Sequence, residues 1–260
     1  MLYLGPIHLN LNILATMTLI GILLGFIGGA GTALVMAALA TFFRIPIHQA
    51  LGTSLAAASF TTLAGTYSPL REGNVDARLG FPVGLSGILG AYLGGALAIH
   101  TRPRLLKTLA GLALLLAAAL IYRQTRGQDL VQTPNPGRKL DPRSRFFIAC
   151  GVGLGTGLIA GFLAMGGMVF IQLALLGLLN ASLRTAVGTG MLTMFFTSLS
   201  GATRFLQEGL IDLNLFLSVV TGTSIGSYLG AKLTGRVPHF VLRAVVVATP
   251  IWAATMLLFF

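Results

Sequence analysis

The chain alternates long apolar segments with short polar turns over its whole length. Segment 81–99 carries no charged residue, and segment 105–122 carries a single lysine. A helix needs roughly 20 mostly apolar residues to cross a bilayer, and these segments approach that length. Only 9% of the residues are charged, with a mean hydropathy of +0.88. The pattern therefore predicts an all-α polytopic membrane protein, with the lipid bilayer as its surroundings.

The pattern occurs twice, at an offset of 136 residues. Segment 21–97 aligns with 157–233 without a gap, and about three in ten of the paired residues are identical. A duplication at this offset divides the chain into a first membrane repeat, a polar linker rich in proline and glycine, and a second membrane repeat. We predict that these parts span 1–122, 123–142 and 143–260.

Each half is predicted to contain five helices, of which the second is only about 15 Å long. A glycine-rich break separates the first two helices, at 28–31 and at 166–167. If the chain returns to its own side at this break, each half crosses the membrane an odd number of times, and the halves face opposite ways. The prediction is two inverted-topology repeats, each with a broken, re-entrant first segment plus three transmembrane helices. The predicted helices are 10–27, 33–43, 47–69, 77–99 and 104–122, with counterparts at 145–163, 169–179, 183–205, 213–235 and 239–259.

The distribution of basic residues favours the inverted arrangement. It places 12 of the 17 Lys and Arg residues on the side of the linker, against nine in a parallel arrangement. Cytoplasmic loops are enriched in Lys and Arg, so the linker is expected in the cytoplasm and the protein in the cell inner membrane. This sorting accounts for the net charge of +11, and no nucleic-acid partner is expected.

The two glycine-rich breaks are the predicted binding sites. Interrupted helices in transporters direct unpaired backbone amides at a substrate near the midplane, and a helix N-terminus favours an anion. Each kind of candidate residue also has a purely structural interpretation. Glycines can pack helices closely, hydroxyls can bond within their own helix, and cationic side chains can contact lipid headgroups. The candidate substrate-binding residues are Gly28, Gly29, Gly31, Thr32, His48, Thr53 and Ser54 in the first half, and Gly166, Gly167, Gln172, Arg184 and Thr189 in the second.

The acidic residues indicate the direction of transport. All six fall in predicted loops or in the linker, so the buried carboxylate relay of many proton-driven pumps is not expected. A negative charge leaving a negative-inside compartment gains about 2.3 kcal/mol per 100 mV, which favours anion exit. We expect no metal, no cofactor and no catalytic residue. Ser86 lies in a Gly-x-Ser-Gly sequence, but the nearest histidine in sequence, His100, is expected at the far end of the same helix.

Four motifs occur in the same order in both halves, namely the glycine-rich break, the Ala-x-Gly-Thr block, the Glu-Gly-x-x-Asp turn and the Gly-x-Tyr-Leu-Gly helix. Their order and duplication resemble the sulfite exporter TauE/SafE family of membrane permeases. Where members often have a third glycine after the break, this chain has Thr32 and Met168. The resemblance implies transport of sulfite, an organosulfonate or a related sulfur oxyanion, often as export. Together with the positions of the acidic residues, it predicts export of such an anion, driven by the membrane potential or facilitated. The alternative is a proton-coupled uptake permease for sulfonate-type or thiosulfate-type anions. Whether the chain forms a homodimer stays open.

Overall fold

The computed structural model describes residues 11–27, 32–126, 141–164, 167–179, 181–234 and 239–259. Within these ranges the chain is helical, and no strand is present. The predicted all-α class is confirmed, and the helices begin and end within a few residues of the predicted bounds. They are α1 (Leu11–Ile27), α2 (Thr32–Thr41), α3 (Ile47–Arg71), α4 (Ala77–His100), α5 (Pro103–Arg126), α6 (Pro142–Leu163), α7 (Met168–Gly177), α8 (Leu183–Gln207), α9 (Leu213–Thr234) and α10 (His239–Phe259).

The largest departure from the predicted bounds lies at the linker. Helix α5 continues to Arg126, four residues beyond the predicted end of the first repeat. Helix α6 then begins at Pro142, directly after Asp141, and proline is well tolerated in a first helical turn because its missing N–H would have no partner there. The remainder of the predicted linker, 127–140, lies outside the described residues.

The outer surface of the bundle is apolar. Three helical segments are long and apolar enough to cross a membrane, namely Ala77–His100, Pro103–Arg123 and Arg143–Leu163, and four shorter apolar helices accompany them in the described ranges. Large hydrophobic side chains such as Leu19 and Phe147 are 67% and 73% exposed. A surface of this composition would aggregate in water and is typical of contact with lipid. The structure is that of a multi-pass membrane protein.

Helices from different halves form the closest packing in the bundle. Helix α4 runs parallel to α6, and α1 runs parallel to α9, along stripes of glycine and other small residues. A Cβ atom added at Gly90 would overlap the backbone of Leu154 and Leu158, and one added at Gly226 would overlap that of Thr18. Small residues allow such close approach between membrane helices. The two halves are therefore packed tightly against each other through these two helix pairs.

These contacts occur in pairs that the 136-residue offset relates. Gly157 lies against Gly87, and the equivalent Gly21 lies against Thr223. Helices α3 and α8 are themselves equivalent, and they pack against each other antiparallel. Near one end Gly52 contacts Phe205, and near the other Gly65 lies 3.5 Å from the Sδ atom of Met191, measured from an ideal Cβ position.

The short helix α2 and the first part of α3 form the centre of the bundle. Residues 32–40 are all buried, as are residues 50–59. Helix α7, the counterpart of α2, has only Met168, Ile171 and Leu175 buried. The two short helices thus have different surroundings, although the duplication makes them counterparts.

Candidate functional site

The first break leads directly into the buried helix α2. Thr32 is the first residue of α2, and its side chain is only 6% exposed. Its Oγ1 atom has no hydrogen-bond partner among the described residues. The first-turn amides of a helix have no partner within the helix, so this end combines amide donors with a free hydroxyl. The predicted site residues Gly28, Gly29 and Gly31 lie outside the described residues.

Two residues in the left-handed conformation flank the second break. Ala164 follows α6 with a φ of 49°, and Gly167 precedes α7 with a φ of 59° and no side-chain cap. Glycine adopts this conformation without the strain that a Cβ atom brings. Met168 then begins α7, 2% exposed, and the predicted Gly166 lies outside the described residues. The break was expected from its glycines, whereas the left-handed Ala164 was not.

The predicted hydroxyl residues on α3 and α8 are buried but differ in their bonding. Thr53 is fully buried, and its Oγ1 has no partner among the described residues. Ser54 donates to the carbonyl oxygen of Leu51, 2.9 Å away in its own helix. Thr189, the equivalent of Thr53, accepts a 2.9 Å hydrogen bond from the backbone N–H of Asp76. Ser54 and Thr189 therefore have structural hydrogen bonds, whereas Thr53 has none with any residue that the structure describes.

The two predicted cationic candidates have different positions in the structure. His48 is half-buried, with Nε2 lying 3.1 Å from the carbonyl oxygen of Ala98 and 3.2 Å from that of Thr101. It thus lies at the C-terminal end of α4, where the carbonyl oxygen of Ala98 also accepts from the backbone N–H of Thr101 at 3.1 Å. The backbone of Arg184 lies in the first turn of α8, but its side chain is outside the described part of the structure.

One buried hydroxyl was not among the predicted residues. Ser198 on α8 is fully buried, and its Oγ has no partner in the described ranges. Its helix carries further buried hydroxyls at Thr189, Thr193 and Thr197, but their four-residue spacing places them on a different face from Ser198. Gln172, by contrast, is half-buried on α7, one turn after Met168.

The buried polar side chains that the structure describes are all serine or threonine. The five described carboxylates, Glu72, Asp76, Asp141, Glu208 and Asp212, lie at helix ends, and the sixth, Asp129, lies in the segment that is not described. No cluster of possible metal ligands is found among the described residues. Among the described residues, the buried hydroxyls without a hydrogen-bond partner are those of Thr32, Thr53 and Ser198, and no charged side chain is buried.

Ser86 has a packing role and does not resemble a nucleophile. Its Oγ donates to the carbonyl oxygens of Pro82 and Val83, at 2.7 and 3.2 Å within α4. It also lies where a Cβ atom on Gly153 would have to fit, at the contact between α4 and α6. The catalytic alternative considered for the Gly-x-Ser-Gly sequence is therefore not supported by the geometry.

Comparison with known proteins agrees with this geometry. The family model described as sulfite exporter TauE/SafE matches residues 13–257. A probable membrane transporter protein of Bacillus subtilis, YdhB, is 38% identical over 95% of this chain and 99% of its own length. A probable membrane transporter protein of Xylella fastidiosa is 26% identical over 84% of this chain and 82% of its own. No solved structure matches the chain significantly. The chain belongs to the sulfite exporter TauE/SafE family, and it is a membrane transporter rather than an enzyme.

Proposed function

We propose that this protein exports a small sulfur oxyanion, sulfite or an organosulfonate, across the inner membrane. The observation that carries the proposal is Thr32, a buried and unpartnered hydroxyl at the first turn of α2. A free hydroxyl and unpaired helix amides provide hydrogen-bond donors, and the positive end of the helix dipole favours negative charge. Thr53, also unpartnered, supplies a second hydroxyl on the neighbouring helix α3. A tetrahedral or pyramidal oxyanion has several acceptor oxygens for such donors.

Alternating access would come from two inverted repeats. Helices α3 and α8 are equivalent under the repeat, and their antiparallel contacts support this arrangement. If both helices cross the membrane, the axis that relates them lies in the membrane plane, as in inverted-repeat transporters. The repeats would span 1–122 and 143–260, with the linker in the cytoplasm.

Export driven by the membrane potential fits the position of the charges. No described carboxylate lies within the middle of a helix, where a proton relay would be needed. A dianion leaving a negative-inside compartment gains about 4.6 kcal/mol per 100 mV, twice the value for a single charge. This gain is sufficient for outward movement without a coupled proton.

The test is sulfite flux in proteoliposomes loaded with radiolabelled sulfite, under an imposed potential of either sign. We expect efflux to accelerate when the loaded compartment is negative. Thr32→Val should reduce the flux at least about ten-fold, the order expected when a hydrogen bond to a charged group is lost. Thr108→Val is the matched control, because Thr108 is exposed on α5 and its hydroxyl donates to Arg104 of the same helix.

Three results would contradict parts of the proposal. Absence of sulfite and sulfonate flux would remove the substrate. Flux that is indifferent to the potential would remove the electrogenic mechanism. Flux that requires an imposed proton gradient and runs inward would favour proton-coupled uptake of sulfonate-type or thiosulfate-type anions instead.

A further inference from the structure

The two breaks are equivalent in the repeat but differ in the residue that begins the short helix. The 136-residue offset pairs Thr32 with Met168 and Ser54 with Gly190. One half thus has two hydroxyl residues at these positions, and the other has a thioether and a glycine. Because a thioether cannot donate a hydrogen bond, the second position has lost the donor that an anion would need.

In the second half, Met168 packs over the glycine of this pair. Its Sδ and Cε atoms lie 3.3 and 3.4 Å from the position that a Cβ atom would take on Gly190. Such a Cβ atom would be in tight contact with Met168, so the absence of a side chain at Gly190 leaves the space that the methionine occupies. Met168 is 2% exposed, and this contact is therefore an apolar seal between α7 and α8.

The hydroxyl bonds show the same asymmetry between the halves. In the described structure, Thr32 and Thr53 both have unpartnered Oγ1 atoms, and the third buried side-chain polar atom without a partner there, Oγ of Ser198, lies on α8 in the second half. At the equivalent second-half positions, Met168 has no hydroxyl, and Thr189 accepts a bond from the N–H of Asp76. Buried polar groups without partners are rare in native proteins, so a pair of them in one half calls for an explanation.

We propose that the anion binds at the N-terminus of only one of the two short helices, α2, and that Met168 closes the equivalent position at the N-terminus of α7. In this arrangement the hydroxyl of Thr32 and the first-turn amides of α2 hold the substrate. The Met168–Gly190 contact turns the duplicated site into a structural seal. The inference rests on the proposed function for the kind of ligand, and it adds the stoichiometry of one anion per chain.

Equilibrium dialysis of the purified full chain in detergent against radiolabelled sulfite measures this stoichiometry. We expect one bound anion per chain. Thr32→Val should weaken binding at least about ten-fold. Thr32→Ser, which keeps the hydroxyl, should retain the affinity, and this separates loss of the donor from misfolding. Met168→Leu, a swap that nearly conserves volume, should leave both affinity and stoichiometry unchanged.

Two anions per chain would overturn the inference, and so would equal weakening by Thr32→Val and Met168→Leu. The same dialysis with sulfate and thiosulfate separates this inference from the choice of substrate. If sulfite does not bind but one of these anions binds once and depends on Thr32, the single site stands and sulfite as the substrate fails. If none of the three binds, the single site fails, and the liposome flux decides on the proposed function separately.

Discussion

Replacement of Gly157 by alanine tests the close contact between α6 and α4. An added Cβ atom would overlap the carbonyl oxygen of Gly87 and lie 2.8 Å from its Cα atom. Ordinary van der Waals contact begins near 3.4 Å, so the helix backbones would have to separate by about 0.6 Å or more. Overpacking of this kind costs about 1–3 kcal/mol. We expect Gly157→Ala to lower the free energy of unfolding accordingly.

Gly155 provides the matched control on the same helix. A Cβ atom added at Gly155 would meet no atom within 4 Å, because this side of α6 is open. Both substitutions bring the same gain in helix propensity, up to about 1 kcal/mol. The difference between Gly157→Ala and Gly155→Ala therefore isolates the cost of packing, and it should be about 1–3 kcal/mol.

The assay is unfolding by SDS titration from mild detergent micelles, followed by circular dichroism. Gly21→Ala extends the test to the equivalent contact between α1 and α9, where the added Cβ atom would lie 2.8 Å from the carbonyl oxygen of Thr223. It should destabilise by less than Gly157→Ala, because the overlap is smaller. If Gly157→Ala and Gly155→Ala unfold at the same SDS concentration, the backbone contact between α6 and α4 is not as close as described.

Three further substitutions test contacts near the breaks with the same unfolding assay. Thr189→Val should destabilise the protein by about 1–2 kcal/mol, because it leaves the backbone N–H of Asp76 unpaired. Thr53→Val should not destabilise it, because the Thr53 hydroxyl has no partner among the described residues. Equal losses of stability in the two variants would refute this difference. His48→Ala should lower stability by about 0.5–1.5 kcal/mol through loss of the bonds to the end of α4, and an unchanged midpoint would argue against that role. Gly167→Ala should cost about 1–2 kcal/mol because of its positive φ, whereas Gly177→Ala, in open space at the end of the same helix, should cost far less.

Local patterns were sufficient to predict the helices. The apolar segments have membrane length and end at turn motifs such as Glu-Gly-x-x-Asp at 72–76. The helix bounds predicted from them differ from the observed bounds by only a few residues. Asp76 and Asp212 cap the helices that follow them, since each Oδ1 accepts from backbone N–H groups in the first turn of the following helix. Such features depend on residues close together in the chain, so the sequence contains the information directly.

The candidate site was predicted only in part. Thr32 and Thr53 were identified as candidates from their positions near the break and in the Ala-x-Gly-Thr block. Ser198 was missed, because its burial without a partner depends on which face of α8 meets the rest of the bundle. The contact of His48 with the end of α4 could not be predicted from the sequence either, because Ala98 is 50 residues away in the chain.

The membrane class, the duplication, the approximate helix bounds and the family could all be recognised from the amino-acid sequence alone, because hydrophobic length and repeated motifs are local or periodic properties. The tertiary structure decided which helices pair across the halves, and which of two equivalent positions keeps a free hydroxyl. Identical motifs in the two halves could not reveal that Thr189 has a hydrogen-bond partner while Thr53 has none within the described ranges, or that Met168 packs on Gly190. These differences arise from contacts between residues far apart in the chain, where shifts of less than an ångström make or break a hydrogen bond.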